Sequence, residues 1–343
     1  MRFFWVVYLF FIVNFTVAQE NIFSALVSEN LLQQHVYTLA ADSMQGRKTG
    51  MKGQEIARNY CVKSLRATHA LPIFKTDSLW LFSQSYYFNL TMPTGMVIPM
   101  GGLYTLTEKP STEFEKKTTL EGQNIGGIFV GTDLKKEIVI ITAHYDHLGS
   151  SKAGIFHGAD DNASGTAAIL AMAALCDSLQ KQGIRSRRSL CFLLFSGEEG
   201  GLIGSKYFLE NSPFLHENIR YNLNVDMVGR RDKTHRKNSD YCYLIGPHFF
   251  PELRSTVKES NHLSFNLTLD YRYDNEYDPN RYFYRSDHYN FAKRHIPALF
   301  FMDGEHPDYH QTTDTADKID YQLLQKRASL IFQIAWSLAN PKD

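Results

Sequence analysis

The sequence predicts an α/β fold in which a mixed, mostly parallel central sheet carries helices on both faces. Short apolar runs of strand composition alternate along the chain with longer segments whose apolar residues recur at helical spacing. Several of the short runs are apolar throughout, as is typical of strands that are buried on both faces. Strands that alternate with helices in this way form a sheet that is covered on both sides.

The first 18 residues have the composition of a secretory signal peptide. Arg2 precedes an apolar run that extends to Val13, and small residues follow at Thr16 and Ala18. The run is shorter than the roughly 20 apolar residues that span a bilayer, so we expect cleavage after Ala18 rather than anchoring. We therefore predict an exported protein, periplasmic or secreted, with no stable membrane span once the signal peptide is removed.

Residues 19–343 are predicted to form a single domain that begins with a helical lead-in over about 19–75. Within the lead-in, helices are predicted over 28–40 and 51–67, on either side of the turn-rich segment DSMQGRKTG. The remaining sequence contains no internal repeat and no obvious linker that would divide it.

The central sheet is predicted from apolar runs that begin near residue 79. The predicted strands are WLFSQSYYFNL, MGGLYTLT, NIGGIFVG, EIVIITAHYDH, SLCFLLFSG, residues 219–227, residues 241–246 and IPALFFM. The helices that follow the first four strands are predicted over residues 165–179, 200–210, 250–261, 287–294 and 318–338.

Charge and cysteine content exclude two classes of function. Lys+Arg and Asp+Glu both number 36, so the formal net charge is zero and no overall basic field would attract nucleic acid. The four cysteines are widely spaced and form no CxxC pair, which argues against a thiolate metal cluster. Whether they form disulfides or remain buried thiols is left open by the sequence.

Side chains that could bind a metal follow the predicted strands at the points where the strands end. In open α/β sheets, ligands bind beside the carboxyl ends of the strands. Each such residue alone has an ordinary explanation as a turn or cap residue, but together they predict a metal site. These residues are His144, Asp146 and His147; Asp160 and Asp161; Glu198 and Glu199; Asp226; and His310.

The residue types indicate which metal is bound. Imidazoles and carboxylates without thiolates suit zinc, and also cobalt or manganese, whereas calcium prefers oxygen ligands alone. The ligands outnumber those of one catalytic zinc, so two ions that share a carboxylate are favoured. Asp146 lies two residues after His144 in an extended segment, and we expect it to orient that imidazole.

Several neighbouring residues receive structural interpretations. We expect His147, His157 and His306 on loop surfaces beside the motif residues. Ser164 lies at a predicted helix start, where serine normally caps, so we do not expect it to be a nucleophile. Asp287 either lies near the site or caps the helix that follows it, and the sequence leaves both possibilities open.

The segments HYDHLG, GADDNASG, FSGEEGGLIGS, NVDMVG and DYHQTTDTADKID together resemble peptidase family M28, a family of di-zinc aminopeptidases. The lead-in MQGRKTGMKGQEIARNYCVKSL resembles the N-terminal segment of bacterial members, so the resemblance covers most of the chain. It implies the zinc exopeptidase (phosphorylase/hydrolase-like) fold for residues 19–343. It also implies that His144 and Asp226 bind one zinc and that Glu199 and His310 bind the other. Asp161 would bridge the two ions, Glu198 would be the general base, and the bond between Asp161 and Asn162 would be cis.

The resemblance further implies zinc-dependent hydrolysis that releases N-terminal amino acids from peptides with a free N-terminus. A hydroxide that bridges the metal ions would be the nucleophile, and Glu198 would take up the proton. Three alternatives remain open: a glutaminyl cyclase-like acyltransferase, a dipeptidase or carboxypeptidase on the same core, and a non-catalytic binding module. The GADDNASG and SGEE forms favour a peptidase, and a binding module would be expected to lose Glu198 or a ligand. Side-chain preference depends on pocket walls that we expect to include residues 270–286.

Overall fold

A ten-stranded mixed sheet organises the residues that the computed structural model describes, which are 26–91, 103–235 and 240–342. The predicted signal peptide at 1–18 lies outside these residues, so its assignment remains a prediction. The strands of the sheet are β1 (Leu71–Pro72), β4 (Ser83–Thr91), β5 (Leu103–Thr107), β6 (Thr119–Phe129), β7 (Leu134–His144), β10 (Arg188–Phe195), β11 (Ile219–Val225), β12 (Tyr241–Ile245), β13 (Thr268–Asp270) and β14 (Ala298–Met302). Two small hairpins are formed by β2 (Phe74–Lys75) with β3 (Trp80–Leu81) and by β8 (Ser150–Ser151) with β9 (Gly154–Ile155).

The helices of the described residues fall largely where the sequence predicts them. They are α1 (Glu29–Leu39), α2 (Lys52–Arg66), α3 (Glu113–Thr118), α4 (Gly165–Lys181), α5 (Ile203–Glu210), α6 (Arg254–Leu263), α7 (His288–Ala292) and α8 (Tyr321–Ala339). The last helix begins three residues later than predicted because the Asp320 side chain caps it by accepting the Leu323 N–H. The short elements that were not predicted are α3, β13 and the two-residue strands β1, β2, β8 and β9, of which β1 and β2 lie within the lead-in that was expected to be helical.

The strand order is β13-β12-β14-β11-β7-β10-β6-β4-β5, and β1 pairs with β6. The four central strands β14, β11, β7 and β10 are parallel to one another. Antiparallel strands extend the sheet on both sides, through β12 next to β14 and through β6, β4 and β5 next to β10. The predicted fold class, a mixed and mostly parallel central sheet, is confirmed.

Helices cover both faces of this sheet because its central strands are apolar on both sides. In β7, Val139 and Ile141 pack into the larger core, whereas Ile138 and Ile140 pack into a second core on the opposite face. The larger core contains residues of α1, α2, α4 and α8. The second core contains Phe208 of α5 and Phe291 of α7. The prediction of helices on both faces is therefore confirmed.

The parallel centre of the sheet brings four strand ends to one edge. Strand β7 ends at His144, which pairs with Phe195 at the end of β10, and β11 and β14 end beside them at Val225 and Met302. This edge is where the predicted ligands follow the strands.

Two further predictions concern the cysteines and the membrane. All four cysteines are buried free thiols, so the possibility of disulfides is not realised in the described residues. In the part of the chain that the structure describes, no helix has both the length and the apolar character needed to cross a bilayer.

Candidate metal centre

The five predicted metal ligands and Glu198 line one cleft at the carboxyl edge of the central strands. They reach the cleft from five different parts of the chain, so residues distant in sequence become neighbours. His144 is the last residue of β7, Asp161 precedes α4, Glu198 and Glu199 follow β10, Asp226 follows β11, and His310 lies in the loop after β14.

A first group of potential ligands consists of His144, Asp161 and Asp226. Nε2 of His144 lies 3.1 Å from Oδ1 of Asp226 and 3.4 Å from Oδ1 of Asp161. The ligand atoms of these three residues lie within 4.8 Å of one another, as one cation would require. The second carboxylate oxygen of Asp226 accepts a hydrogen bond of 2.7 Å from Ser286 Oγ, which fixes its orientation.

A second group contains Asp161, Glu199 and two imidazoles. Nε2 of His310 lies 3.0 Å from Oδ2 of Asp161 and 3.4 Å from Oε2 of Glu199. Nδ1 of His147 lies 2.9 Å from Oε1 of Glu199 and 3.7 Å from Oδ2 of Asp161. Asp161 therefore directs one oxygen towards each group, which is the arrangement expected of a carboxylate shared by two cations.

The expected surface positions of His147 and His306 are wrong. His147 is only 1% exposed and belongs with Asp161 and Glu199 to a group that could hold a cation. His306 is also buried, and its Nε2 lies 3.1 Å from Asp160. His157 is half-buried, with Nδ1 2.9 Å from the Ala40 carbonyl. Their loops fold inward against other segments, which sequence adjacency alone does not reveal.

Asp146 lies behind the cleft, where it is 1% exposed. Its carboxylate is 3.6 Å from Nδ1 of His144, whereas its backbone carbonyl is 3.2 Å from the same nitrogen. The carboxylate accepts hydrogen bonds from the Thr49 hydroxyl at 2.9 Å and from the Glu198 N–H at 3.3 Å. Asp146 is therefore connected to both His144 and the loop that carries Glu198.

The segment Ala159–Ser164 presents Asp161 to the cleft, and the bond between Asp161 and Asn162 is cis, as the family resemblance implies. The Asn162 side chain donates to the Val225 carbonyl at 2.9 Å and accepts from the Met227 N–H at 3.2 Å. It thereby joins the segment to the end of β11, beside Asp226.

The cap expected at Ser164 is not formed, and Asp287, for which a capping role and a place near the site were both open, lies near the site. The Ser164 hydroxyl donates to the Asp160 carbonyl and accepts from the Val228 N–H, so it joins two loops instead of capping α4. Asp287 is fully buried beside the site and makes no cap hydrogen bond to α7.

The electrostatics of the cleft favour cations. Burial raises the pKa of Glu198 well above its ordinary value, and it raises the pKa of the neighbouring Asp287 to about 7. Burial and the charge of Asp161 oppose ionisation of Glu199, but hydrogen bonds from His147 and His310 outweigh them and lower its pKa to about 2. Within the described ranges, Asp161, Glu198, Glu199 and Asp226 form their ion pairs with histidines, and none with lysine or arginine. Imidazole and carboxylate donors without a lysine or arginine partner fit zinc.

The cleft has an apolar wall and a polar rim. Its remaining lining residues are Met227, Tyr282, Ser286, Phe300, Met302, Arg285, Glu305 and Tyr309. At the rim, the Arg285 guanidinium lies 3.1 Å from Glu305 Oε1 and donates to the Tyr309 hydroxyl at 3.2 Å. The expectation that residues 270–286 contribute to the pocket wall is confirmed by Tyr282, Arg285 and Ser286.

In a comparison with known protein families, residues 124–335 match the family model described as peptidase family M28. Aminopeptidase YwaD of Bacillus subtilis (strain 168) is 27% identical over 244 residues, which cover 67% of this chain and 48% of YwaD. The chain spans about half the length of the curated relatives it matches.

Solved structures share the fold over nearly the whole chain. The Legionella pneumophila LapA aminopeptidase superimposes with a TM-score of 0.66 at 17% identity, covering 95% of this chain and 76% of LapA. A Bacteroides thetaiotaomicron glutaminyl cyclase superimposes with a TM-score of 0.64 at 19% identity, covering 91% of this chain and 98% of the cyclase. At these identities the likeness shows the fold alone, so it does not separate the two reactions.

Proposed function

The chain belongs to peptidase family M28, and from this membership we propose that it is a zinc-dependent aminopeptidase. In this proposal it hydrolyses the peptide bond that follows a free N-terminal residue and releases that residue as an amino acid. The observation that carries the proposal is the position of Asp161, whose two oxygens face two groups of potential ligands in one cleft.

Two zinc ions fit the donor groups, although cobalt or manganese would be compatible with the same ligands. His144, Asp161 and Asp226 would hold one ion, and Asp161, Glu199 and His310 would hold the other. His147, through its contact of 2.9 Å with Glu199, would orient that carboxylate. When bound, the ions would lower the pKa of a water molecule and polarise the scissile carbonyl.

Glu198 is proposed as the general base and acid. It lines the cleft but belongs to neither ligand group, and its Oε2 lies 4.0 Å from His144 Nε2. Burial raises the pKa of this carboxyl well above its ordinary value, which suits a group that exchanges a proton with the reactants. Glu198 would take the proton of the attacking water and deliver it to the leaving amine. Asp146, which accepts the Glu198 N–H, would keep this residue in place.

The proposed substrates are peptides with a free N-terminus. Met227, Phe300, Met302 and Tyr282 provide an apolar wall next to the ligands, which suits an apolar N-terminal side chain. We also propose that the protein is exported, periplasmic or secreted, as the composition of residues 1–18 indicates.

A glutaminyl cyclase-like activity is the second candidate, because a cyclase shares the fold. The retained second ligand group, with Glu199 and two imidazoles, favours hydrolysis. A dipeptidase or carboxypeptidase would use the same metal centre but would recognise a different end of the peptide substrate. A binding module without activity is least supported, since Glu198 and both ligand groups are present.

One set of assays separates these possibilities. The purified protein should contain zinc, release nitroaniline from leucine p-nitroanilide, lose this activity with a chelator and regain it with added zinc. N-acetyl-leucine p-nitroanilide, which has no free amine, should not be cleaved. Ring closure of an N-terminal glutaminyl peptide would support the cyclase. A protein that binds zinc and cleaves no free-amino substrate would rule out the aminopeptidase.

A further inference from the structure

We infer that Thr49, a residue of the N-terminal lead-in, is a positioning residue for Glu198. Thr49 is fully buried, and its hydroxyl donates to Oδ2 of Asp146 at 2.9 Å. The same hydroxyl accepts the N–H of Gly197 at 2.8 Å. The hydroxyl thus uses both its donor and an acceptor site on groups that adjoin the proposed general base.

Two successive backbone amides of the loop after β10 are held by this arrangement. Thr49 accepts the N–H of Gly197, and Oδ1 of Asp146 accepts the N–H of Glu198. Since Thr49 also donates to Asp146, the hydroxyl and the carboxylate form one connected hydrogen-bond network with the loop. The backbone that carries Glu198 is therefore held in place by Thr49, which does not line the cleft.

Close packing around Gly197 restricts the backbone conformations that this turn can adopt. Gly197 has φ of +72°, and a Cβ at this position would lie 2.6 Å from the Tyr86 hydroxyl and 2.5 Å from Ile203 Cγ1. The Tyr86 hydroxyl itself donates to the Ser196 carbonyl at 2.8 Å. With the turn packed on these sides, the amide contact with Thr49 sets how the loop leaves the strand.

Arg47 holds the lead-in where Thr49 can make these contacts. Its fully buried guanidinium donates to four backbone carbonyls, those of Leu39, Tyr145, His157 and Gly158, at 2.7 to 2.8 Å. Tyr145 directly precedes Asp146, and Gly158 lies three residues before Asp161. Thr49 is thus anchored to the same two segments that carry the ligands.

The role follows from the chemistry of the proposed function, on which this inference rests. A base that transfers a proton must be held at a fixed distance from the reacting atoms, and small displacements lower the rate without changing ground-state binding. Loss of the Thr49 hydroxyl leaves the Gly197 N–H and one Asp146 oxygen without their partner, while both ligand groups keep their own contacts.

The test compares Thr49→Val, which removes the hydroxyl and keeps the shape, with Thr49→Ser, which keeps the hydroxyl. Thr49→Val should lower kcat on leucine p-nitroanilide by about 10- to 100-fold. KM and zinc content should stay close to those of the wild type, and amide hydrogen exchange should become faster at residues 196–199. Thr49→Ser should restore most of kcat and the slow exchange. If Thr49→Val does not fold, Thr49→Ala provides the same contrast with Thr49→Ser.

Ser189 provides a matched control at the opposite end of β10. Its buried hydroxyl also accepts a backbone N–H, that of Gly131 at 3.1 Å, and donates to a carbonyl, that of Lys135 at 2.7 Å. Ser189→Ala should leave kcat and the exchange at residues 196–199 unchanged. Equal losses of kcat in Thr49→Val and Ser189→Ala would overturn the inference, as would unchanged exchange at residues 196–199 in Thr49→Val.

The exchange measurement separates this inference from the proposed function. A wild-type protein that cleaves no substrate contradicts the aminopeptidase assignment, whereas faster exchange in Thr49→Val still establishes the link between Thr49 and the Glu198 loop. An active wild type with unchanged exchange and unchanged kcat in Thr49→Val contradicts the positioning role alone.

Discussion

The adjacent residues Asp160 and Asp161 belong to two different buried clusters of carboxylates. The negative charge of the two clusters is balanced in different ways. We call Asp160, Asp303 and Asp314, with Arg230, Arg327 and His306, the arginine-paired cluster. We call Asp161, Glu198, Glu199 and Asp226 the cleft cluster. The carboxylates of both clusters lie in the connections at the carboxyl edge of the sheet, whereas Arg327 lies in α8.

The arginine-paired cluster is neutralised from within the protein. Arg327 donates to Asp303 at 3.2 Å, Arg230 Nη1 lies 3.7 Å from Asp314, and His306 lies 3.1 Å from Asp160. Backbone amides also stabilise this cluster, since the Asp314 carboxylate accepts hydrogen bonds from the N–H groups of both Asp160 and Asp161. Buried carboxylates with such partners stabilise one loop arrangement and need no external ion.

The cleft cluster has no such cationic partner among the described residues, because its carboxylates pair only with histidines that are themselves potential ligands. Burying this much negative charge is unfavourable unless cations are bound. From this difference we infer that the arginine-paired cluster supports the loops, whereas the cleft cluster is a site for ions from solution. The first three of the following predictions test that division.

The largest effect is expected in the cleft cluster, from Glu198→Gln. The amide keeps the shape of the side chain but cannot accept the proton, so kcat should fall by about 10²- to 10⁴-fold. Zinc content should remain that of the wild type, because Glu198 belongs to neither ligand group. Steady-state kinetics together with elemental analysis check both parts. Loss of zinc in this variant would place Glu198 among the ligands.

The next effect is expected in the arginine-paired cluster, from Arg327→Met. Removal of the guanidinium leaves Asp303 buried without its charge partner, and three backbone carbonyls, of Tyr241, Val228 and Arg230, lose their donor. The free energy of unfolding should fall by about 3 to 5 kcal/mol, as measured by denaturant titration. The folded fraction should still bind zinc. Arg327→Met combined with Asp303→Asn should be less destabilised than Arg327→Met alone, and a greater loss would contradict the pairing.

An intermediate effect should distinguish the two imidazoles of the second ligand group. His310→Ala should remove a ligand, so that one zinc is lost, together with activity. His147→Ala should only misorient Glu199, which corresponds to a loss of about 10- to 100-fold in zinc affinity or activity. Metal titration of both variants checks this. If His147→Ala loses the ion and His310→Ala retains it, the two roles are reversed.

The smallest effect concerns His35 of α1, which is buried and has no charged partner within residues 26–91, 103–235 and 240–342. Burial lowers its pKa to about 4, and its Nδ1 lies 2.7 Å from the Tyr60 hydroxyl. In the unfolded chain its pKa is about 6.5, so the unfolded state binds more protons between these values. The contribution of neutral His35 to the free energy of unfolding is therefore present above about pH 6.5 and is lost as the pH falls towards 4.

Between pH 7 and pH 5.5 this loss should amount to about 1 kcal/mol of the free energy of unfolding. His35→Leu, which cannot titrate, should show a pH dependence smaller by that amount in denaturant titrations at both pH values. The same pH dependence in the two proteins would mean that His35 contributes no proton linkage.

Much of the fold and of the cleft could be predicted because parallel strands bring their carboxyl ends to one edge. His144, Asp161, Glu199, Asp226 and His310 each follow a recognisable apolar run, so their convergence followed from the order of the elements. The metal-binding roles themselves stay predictions until ions are measured. The short elements α3 and β13 were missed because segments of six and three residues carry no periodic signal.

Contacts between distant segments could not be predicted. Thr49 and Asp146 are separated by 97 residues, and Thr49 and Gly197 by 148, so no local pattern relates them. The burial of His147 depends on how its loop packs against Glu199. The expected cap at Ser164 failed for the same reason, since a tertiary contact with the Val228 N–H overrode the local preference of serine.

The guanidinium of Arg47 has a consequence for any attempt to shorten the protein to a minimal unit. The segment recognisable by its motifs begins at residue 124 and contains every candidate ligand. A fragment starting there would nevertheless leave the buried carbonyls of Tyr145, His157 and Gly158 without the donor they share. A fragment that folds with an intact cleft should therefore include the earlier helices, because truncation at the motif boundary would remove the donor that supports the loops around the cleft.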